Sequence, residues 1–392
     1  MPHANPKSKL CLMLNMISPA RIPLYSALAD RFDLLILHGG AEANRAGWQA
    51  AERALPNARV RRVWGWQLPR IRRQRGTAPA AVFDRQFTHI SPGCLGHLLR
   101  FRPDAVIANE MGLRTLIALA YGSLFRKPVW VWWGGTLHTE RSAGRIRRAL
   151  RRLISHRARH WISYGRTSTE YLRSIGVPAQ RILEIQNAVD ERRFAAPTAP
   201  AFLIRPRPVL LHVGQLIARK GIELLLHSAA ALQREGLEFS LLIVGGGPSR
   251  QSLQRLAVSL GLKNVRFEPS QPPERMPAVY RSADALIFPT LEDVWGLVAN
   301  EAILSGLPVL CSCYAGCAYE LFPPESIVDP ADSEEFKAKL RLAVQGHLPP
   351  PDPSRLRTTP QLAAALIHAV EASLARPAEI VRHAPVGVSD RS

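Results

Sequence analysis

Phe288-Pro289-Thr290-Leu291-Glu292-Asp293-Val294-Trp295-Gly296-Leu297-Val298-Ala299-Asn300-Glu301-Ala302-Ile303-Leu304-Ser305-Gly306-Leu307-Pro308-Val309-Leu310 is the stretch on which the fold turns. The apolar run Ala285-Leu286-Ile287-Phe288 ahead of it reads as a buried strand that stops at Pro289. Residues 297–305 have helical spacing, with Leu297, Ala302 and Leu304 apolar and Gly306 placed as a C-terminal stop. The loop between strand and helix holds Glu292, Asp293 and Gly296, and Glu301 falls in the first turns of the helix. Asp293 and Glu301 therefore flank a helix N-terminus, where unpaired N–H groups and the helix dipole favour phosphate. Two carboxylates beside an anion site suit a ligand with both hydroxyls and phosphates, such as a nucleotide sugar. An acidic residue capping an ordinary helix would give the same local pattern.

Outward from this stretch, strand-like and helix-like segments alternate along the whole chain. Residues 10–17, 34–37, 105–108, 129–133 and 182–185 read as strands of a first set, with helices over 22–30 and 113–124. An Arg-rich helix is expected over residues 141–162, with Ile146, Leu150, Leu153, Ile154 and Trp161 on one face. Residues 195–208, with four prolines, have the composition of a linker. A second set follows, with strands at 209–213, 239–244, 265–267 and 285–288. Helices are expected over 222–235, 250–260, 276–281 and 361–374, with Pro- and Asp-rich turns after Leu310 and a flexible tail from Arg376. This pattern predicts an α/β protein of two doubly wound, Rossmann-like domains facing across a cleft.

At 392 residues the chain can build two full cores. Its net charge is +20, and residues 1–200 hold 32 Lys and Arg against 12 Asp and Glu, so the whole excess lies in the first half. Such an imbalance points to an anionic partner, a membrane surface or a nucleic acid. The charge is densest over residues 61–75 and 141–159. A basic amphipathic helix suits a bilayer surface, although a solvated outer face on a packed helix reads the same way. No zinc-finger or RNA-recognition signature accompanies the charge, so no nucleic acid is expected. No run of about 18 apolar residues is present, so no transmembrane segment is expected. The five cysteines suit free thiols in a reducing compartment, and Cys311, Cys313 and Cys317 are read as small residues packed after a strand rather than as a metal site.

Two more strand-end loops converge on the opening stretch. Gly214-Gln215-Leu216-Ile217-Ala218-Arg219-Lys220-Gly221 leaves one strand and enters a helix, and its adjacent Arg219 and Lys220 can neutralise a diphosphate. Gly245-Gly246-Gly247 follows the next strand, where absent side chains let backbone approach a ligand. A basic pair on a surface or a glycine triplet in a tight turn is ordinary by itself. Three such loops on one edge of one sheet are not.

Together these residues resemble the retaining glycosyltransferases of family four, which have the GT-B fold. The resemblance is carried by Val213-Gly214-Gln215-Leu216 with Arg219-Lys220-Gly221, by Ile243 to Pro248, by Ala283 to Pro289, and by Glu292 to Ala302 with Gly306-Leu307-Pro308-Val309. Weaker matches lie at residues 18–25 and 186–190. It implies that Lys220, helped by Arg219, holds the donor diphosphate, that Glu301 binds the donor ribose, and that Asp293 binds the transferred sugar. Gly214, Gln215, Gly245 and Gly246 would line the phosphates, and the backbone at Gly296 and Leu297 would meet them at the helix start. Arg21, with Pro19, would form the first cleft loop. The family's paired motif is usually Glu, seven residues, Glu; here Asp293 holds the first position and Glu292 stands beside it. An arginine commonly follows the first glycine of the phosphate loop, where this chain has Gln215.

The resemblance further implies an acceptor-binding, membrane-facing domain at residues 1–200 and a donor-binding domain at 201–360. Residues 361–392 would supply a helix crossing back to the first domain and a tail. The donor would be a UDP- or GDP-linked sugar with no other cofactor, and no Asp-x-Asp of the metal-holding kind occurs in the chain. The acceptor would be a lipid-linked or cell-surface glycan precursor, met by a cytoplasmic enzyme peripheral on the inner membrane face. On the acceptor side, His138 in Gly134-Gly135-Thr136-Leu137-His138 and Glu110 at a strand end are the candidates to orient or deprotonate the hydroxyl. Two other readings fit the same residues: a GT-B epimerase, and a basic nucleic-acid-binding protein whose second domain is structural.

Overall fold

The computed structural model describes residues 6–40, 53–71 and 85–375. The expected flexible tail from Arg376, and residues 72–75 of the first basic segment, lie outside the described residues.

A seven-stranded parallel sheet forms the first half. Its strands are β1 (Lys9–Leu14), β2 (Asp33–His38), β3 (Arg59–Arg62), β6 (Ala105–Asn109), β7 (Val129–Trp133), β8 (His160–Tyr164) and β9 (Ile182–Ile185). They are ordered β3-β2-β1-β6-β7-β8-β9, and β4 (Trp66–Ile71) pairs with β5 (Arg85–Ile90) as a separate antiparallel hairpin. The second sheet holds β10 (Val209–Val213), β11 (Ser240–Val244), β12 (Val265–Glu268), β13 (Ala285–Phe288), β14 (Val309–Ser312) and β15 (Ile327–Val328), ordered β12-β11-β10-β13-β14-β15. In both sheets the strand order reverses beside the first strand, between β1 and β6 and between β10 and β13. In open parallel sheets such switch points leave a crevice at the strand carboxyl ends, where ligands bind.

The central strands read as unbroken apolar runs because helices cover both faces. Leu10 to Met13, Leu241 to Ile243, and Leu286 with Ile287 are wholly buried. The last helix, Thr359–Ala375, returns to the first domain. There it packs on the helix Ile22–Arg31, with Arg31 paired to Glu371 at 2.5 Å and the Trp130 indole donating to the Ser373 hydroxyl at 3.2 Å. The expectation of a crossing helix is met.

Several expected elements differ. The long helix over 141–162 is instead a helix over Arg145–Arg157 followed by β8. Gly144 starts it, and Ala158 turns extended because residues 160–164 are needed between β7 and β9. Trp161 is therefore a buried strand residue, while Ile146, expected on the packed face, is 87% exposed. The turns expected after Leu310 contain a further helix, Ser333–Val344, capped by the Asp332 carboxylate, which accepts from the N–H groups of Glu334 and Glu335. The first strand also stops at Leu14, three residues before the expected Ile17.

Candidate active site

The loops after β10, β11 and β13 meet at the switch point of the second sheet, and backbone contacts lock them together. The Leu216 N–H donates to the Gly246 carbonyl at 2.9 Å, and the Ser249 N–H to the Leu216 carbonyl at 3.0 Å. A side chain at Gly245 would lie 1.8 Å from the Gly214 carbonyl oxygen, and one at Gly247 would lie 2.4 Å from that of Leu216. The triplet's outer glycines are thus required by the neighbouring loop. Gly246, whose added carbon would meet only the Ser270 hydroxyl at 3.2 Å, is the member with room around it.

The β10 and β13 loops are stitched in the same way. Residues Ala218–Lys220 make a single 3₁₀ turn that ends on Gly221 in the left-handed region, φ +67°, and a Cβ there would sit 1.9 Å from the Pro289 carbonyl oxygen. The Arg219 carbonyl accepts from the Leu291 N–H at 2.8 Å and the Thr290 hydroxyl at 3.2 Å, and the Arg219 guanidinium donates to the Glu292 carbonyl at 3.3 Å. This brings the Lys220 ammonium to 2.5 Å from the Asp293 carboxylate. Burial pushes the Asp293 carboxyl up, but Lys220, Arg219 and the Trp295 N–H outweigh it and hold the group below the usual range. An ammonium has three N–H donors, of which this contact uses one.

Behind Asp293 the chain turns at Gly296, φ +104°, where a Cβ would lie 2.4 Å from the Phe288 ring. The helix Leu297–Leu304 then begins without any side-chain cap. Its first N–H groups lack a side-chain acceptor, an arrangement that suits an anion. Glu301, one turn on, is partly buried and accepts from the Tyr280 hydroxyl at 2.6 Å. Burial raises its carboxyl to about 7, against the lowering pull of Tyr280 and of Arg193.

The first domain meets this site through contacts from several loops. His138 lies in the short helix Leu137–Glu140, where Thr136 forms a capping box with Thr139. Its Nε2 is 2.9 Å from the Leu291 carbonyl, and its ring stacks on Tyr314 with centroids 4.5 Å apart. Arg141 pairs with Glu292 at 3.2 Å. Further along, the Asn300 side-chain amide donates to the Asn187 carbonyl at 3.0 Å and accepts from the Trp295 indole at 2.8 Å. Asn187 also accepts from Arg21 at 3.3 Å, and the Arg21 guanidinium lies over Trp132 and Tyr164 at 4.8 and 4.7 Å. Glu110, at the end of β6, has a left-handed backbone, φ +69°, an uncommon state for a residue with a side chain. A cavity of about 750 Å³ opens between the domains, bounded by Pro19, Pro23, Arg193, Pro273 and Glu274.

The candidate residues therefore fall into three groups. Lys220, Arg219, Asp293 and His138 gather around the β13 loop. Gly296, Leu297 and Glu301 follow on the next helix, with Gly214, Gln215, Gly245 and Gly246 on the adjoining loops. Arg21 stands opposite, linked to that helix through Asn187 and Asn300. No local signal in the sequence marks Tyr280, Tyr314 or Arg141, because each acts on a residue far away in the chain. Glu292 lies outside the Lys220–Asp293 pair and braces the two domains. Among the described residues no cluster of three or more His, Cys, Asp or Glu side chains lies together as a metal site would need.

Residues 200–358 match the family described as glycosyl transferases group 1. The match lies within the second half and covers less than half of the chain. The D-inositol 3-phosphate glycosyltransferase of Nocardia farcinica is 38% identical over 155 residues, which cover 36% of this chain and 34% of that protein. The GDP-mannose-dependent alpha-(1-6)-phosphatidylinositol monomannoside mannosyltransferase of Mycolicibacterium smegmatis is 33% identical over 166 residues, 39% of this chain and 42% of that one. The matches thus span well under half the length of these curated relatives. The likeness of fold covers both domains. Anabaena Alr3699/HepE, solved in complex with UDP and glucose, superposes with a TM-score of 0.62 at 15% identity over 93% of this chain and 97% of that one. The two domains together have the GT-B fold, as the sequence resemblance implied.

Proposed function

We propose that the protein transfers a sugar from a nucleoside diphosphate donor to a hydroxyl of a lipid-linked or cell-surface glycan acceptor, with retention of configuration. The observation that carries this reading is the Lys220–Asp293 pair, 2.5 Å apart, set before the uncapped start of the helix Leu297–Leu304. Departure of a nucleoside diphosphate breaks the bond from the anomeric carbon and builds negative charge on phosphate oxygens. Lys220, Arg219 and the first helix N–H groups are fixed in advance where that charge would develop, which is the efficient form of electrostatic catalysis. These cations supply the role a divalent ion would otherwise have, and the reaction is read as metal-independent with no cofactor beyond the donor.

The other roles follow from position. Asp293 beside Lys220 would accept from hydroxyls of the transferred sugar. Glu301, one turn along the helix, would take the ribose. The acceptor would enter from the first domain, where His138 stands at the β13 loop and Arg21 and Glu110 mark the switch point of the other sheet. The names of the relatives, which act on inositol phosphate and on a phosphatidylinositol mannoside, support a phosphate-bearing, polyhydroxylated acceptor. The basic first half supports work at an anionic membrane face. Among the described residues no helix is long and apolar enough to cross a membrane.

A screen of UDP- and GDP-linked sugars for slow donor hydrolysis, with the anomer of the first-released sugar read by NMR, tests the proposal. Hydrolysis of one donor in EDTA, with the donor's configuration kept, is expected. Hydrolysis of none, or release of the opposite anomer, contradicts it.

A further inference from the structure

The surface of the first domain carries a second feature that the site does not use. Trp64 is 66% and Trp66 53% exposed, and their rings meet edge to face with centroids 4.6 Å apart. They stand just past the end of the edge strand β3, which itself shows Arg61 and Arg62 to solvent. The segment Val63 to Trp66 packs on Ile90 to Gly93: a Cβ on Gly65 would lie 2.2 Å from the Ile90 carbonyl, and one on Gly93 3.0 Å from the Val63 side chain. Directly after Gly93 begins the helix Cys94–Phe101. It buries Cys94, Leu98 and Phe101 on one stripe, yet exposes Leu95 and Leu99, each 45% open, on the next. Residues four apart share a helix face, so these leucines make one outward ridge on a helix whose leading Gly93 would set a Cβ 3.2 Å from the Trp64 carbonyl.

We propose that Trp64, Trp66, Leu95 and Leu99 form one interfacial patch that seats the first domain in the headgroup layer of an anionic bilayer. The proposal rests on the membrane reading given above and says which surface performs it. Two observations select a bilayer over water as the neighbour of this patch. Tryptophan, apolar in its rings and polar at its N–H, concentrates at the membrane–water boundary, and leucine on a short helix face adds area that enters it. Arg61, Arg62 and Arg100 are exposed on the same elements, within a half of the chain whose net charge is +20. Cations around an apolar centre are attracted to anionic headgroups while the apolar groups insert.

Topology then places the patch usefully. All strands of the first sheet run parallel, so the carboxyl end of β3 lies on the same edge as those of β1, β6 and β7. Those ends lead to Arg21, Glu110 and His138. A bilayer held at Trp64 and Leu95 would present headgroups at the edge where the acceptor is expected. The helix Arg145–Arg157, with Ile146 and Leu153 exposed among arginines, is the competing surface. Its two apolar residues are separated by two turns and include no aromatic ring.

The test is flotation of the full chain with vesicles of phosphatidylcholine, with and without phosphatidylglycerol. Three variants are compared with the parent: Trp64→Ser with Trp66→Ser, Leu95→Ser with Leu99→Ser, and Ile146→Ser with Leu153→Ser. The circular dichroism melting curve of each variant reports that it remains folded, and quenching of parent tryptophan fluorescence by brominated lipid gives a reading without mutation. The expected result is binding to the anionic vesicles, reduced about tenfold or more by either patch variant and little by the helix variant, with the melting curve unchanged. Quenching should be largely lost in the tryptophan variant. If the parent binds anionic vesicles but the patch variants bind equally well, or only the helix variant fails, the patch is wrong while membrane binding stands. If the parent binds no vesicle, or associates only with itself, both the patch and the membrane reading fall. Glycosyl transfer, measured by donor hydrolysis in solution, is untouched by either outcome.

Discussion

The two sheets share one winding pattern but build their strand-end loops by different means. In the second domain the loops after β10, β11 and β13 are shaped by backbone: Gly221 and Gly296 in left-handed turns, Gly245 and Gly247 against neighbouring carbonyls, and a helix that starts without a cap. Across those loops, within the one domain, Lys220 pairs with Asp293 and the Tyr280 hydroxyl donates to Glu301. In the first domain the corresponding loops are held by side chains from distant elements. Arg21 rests on Trp132 and Tyr164, and Arg114, buried in the core, donates to the Leu14 carbonyl and to Asn15. A rigid backbone cradle suits a ligand part that does not vary, as a diphosphate does. A wall of side chains can be changed one residue at a time, as acceptor choice requires.

That contrast can be broken at several points. Lys220→Ala should have the largest effect, lowering kcat for transfer by about 10²- to 10³-fold, since it removes one preorganised charge from the leaving group. It also leaves the Asp293 carboxylate unpaired, so its pKa should climb back toward or above the usual carboxylate value. Gly221→Ala should cost roughly 2 kcal/mol or more in unfolding free energy, because alanine resists the φ of +67° and its Cβ meets the Pro289 carbonyl. Urea denaturation measures this, and no such cost is expected at Gly112 or Gly144, where a Cβ meets nothing.

Glu301 offers a pH test with two signs. Its carboxyl titrates at about 7 in the fold, above its ordinary value of 4.5. The folded state therefore favours the protonated form, and the stability it contributes is full below about 4.5 and is lost as pH rises through about 7. Glu301→Gln should accordingly raise the melting temperature more at pH 8 than at pH 5. Donor binding runs the other way, since the ionised carboxylate is the better acceptor for ribose hydroxyls. KM for donor should rise as pH falls below about 7 in the parent, and Glu301→Gln should be flat and about tenfold weaker. Tyr280→Phe, which removes a donor to the carboxylate, should shift that limb to higher pH.

The smallest effect is expected at Glu292. Its pair with Arg141 joins the domains at a partly exposed position, so Glu292→Ala should lower kcat/KM only a few-fold. That is far less than Asp293→Ala or Glu301→Ala. Equal losses at Glu292 and Asp293 would mean that the brace, not the cradle, sets the rate.

The same contrast explains what could be read before the structure. The second domain was legible because apolar runs, glycines and the spacing of Asp293 to Glu301 are local signals of local geometry. The end of the Arg145–Arg157 helix was not, since Arg159 and Trp161 continue its pattern and only pairing between β7 and β9 pulls residues 160–164 into the sheet. The helix Ser333–Val344 does carry a start signal in Asp332 followed by Glu335, masked by the prolines and aspartates around it. The link of His138 to Leu291 depends on how two domains dock, which no local pattern encodes.

On the proposed reading, Lys220 and the helix start at Leu297 form a fixed diphosphate site. Calorimetric titration of UDP and GDP into the full chain in EDTA, with the parent and Lys220→Ala side by side, tests it most directly. Binding of one nucleotide to the parent without a metal, weakened at least tenfold in the variant, is the result predicted here. Equal affinity in the two proteins, or no binding of either nucleotide to the parent, would contradict it.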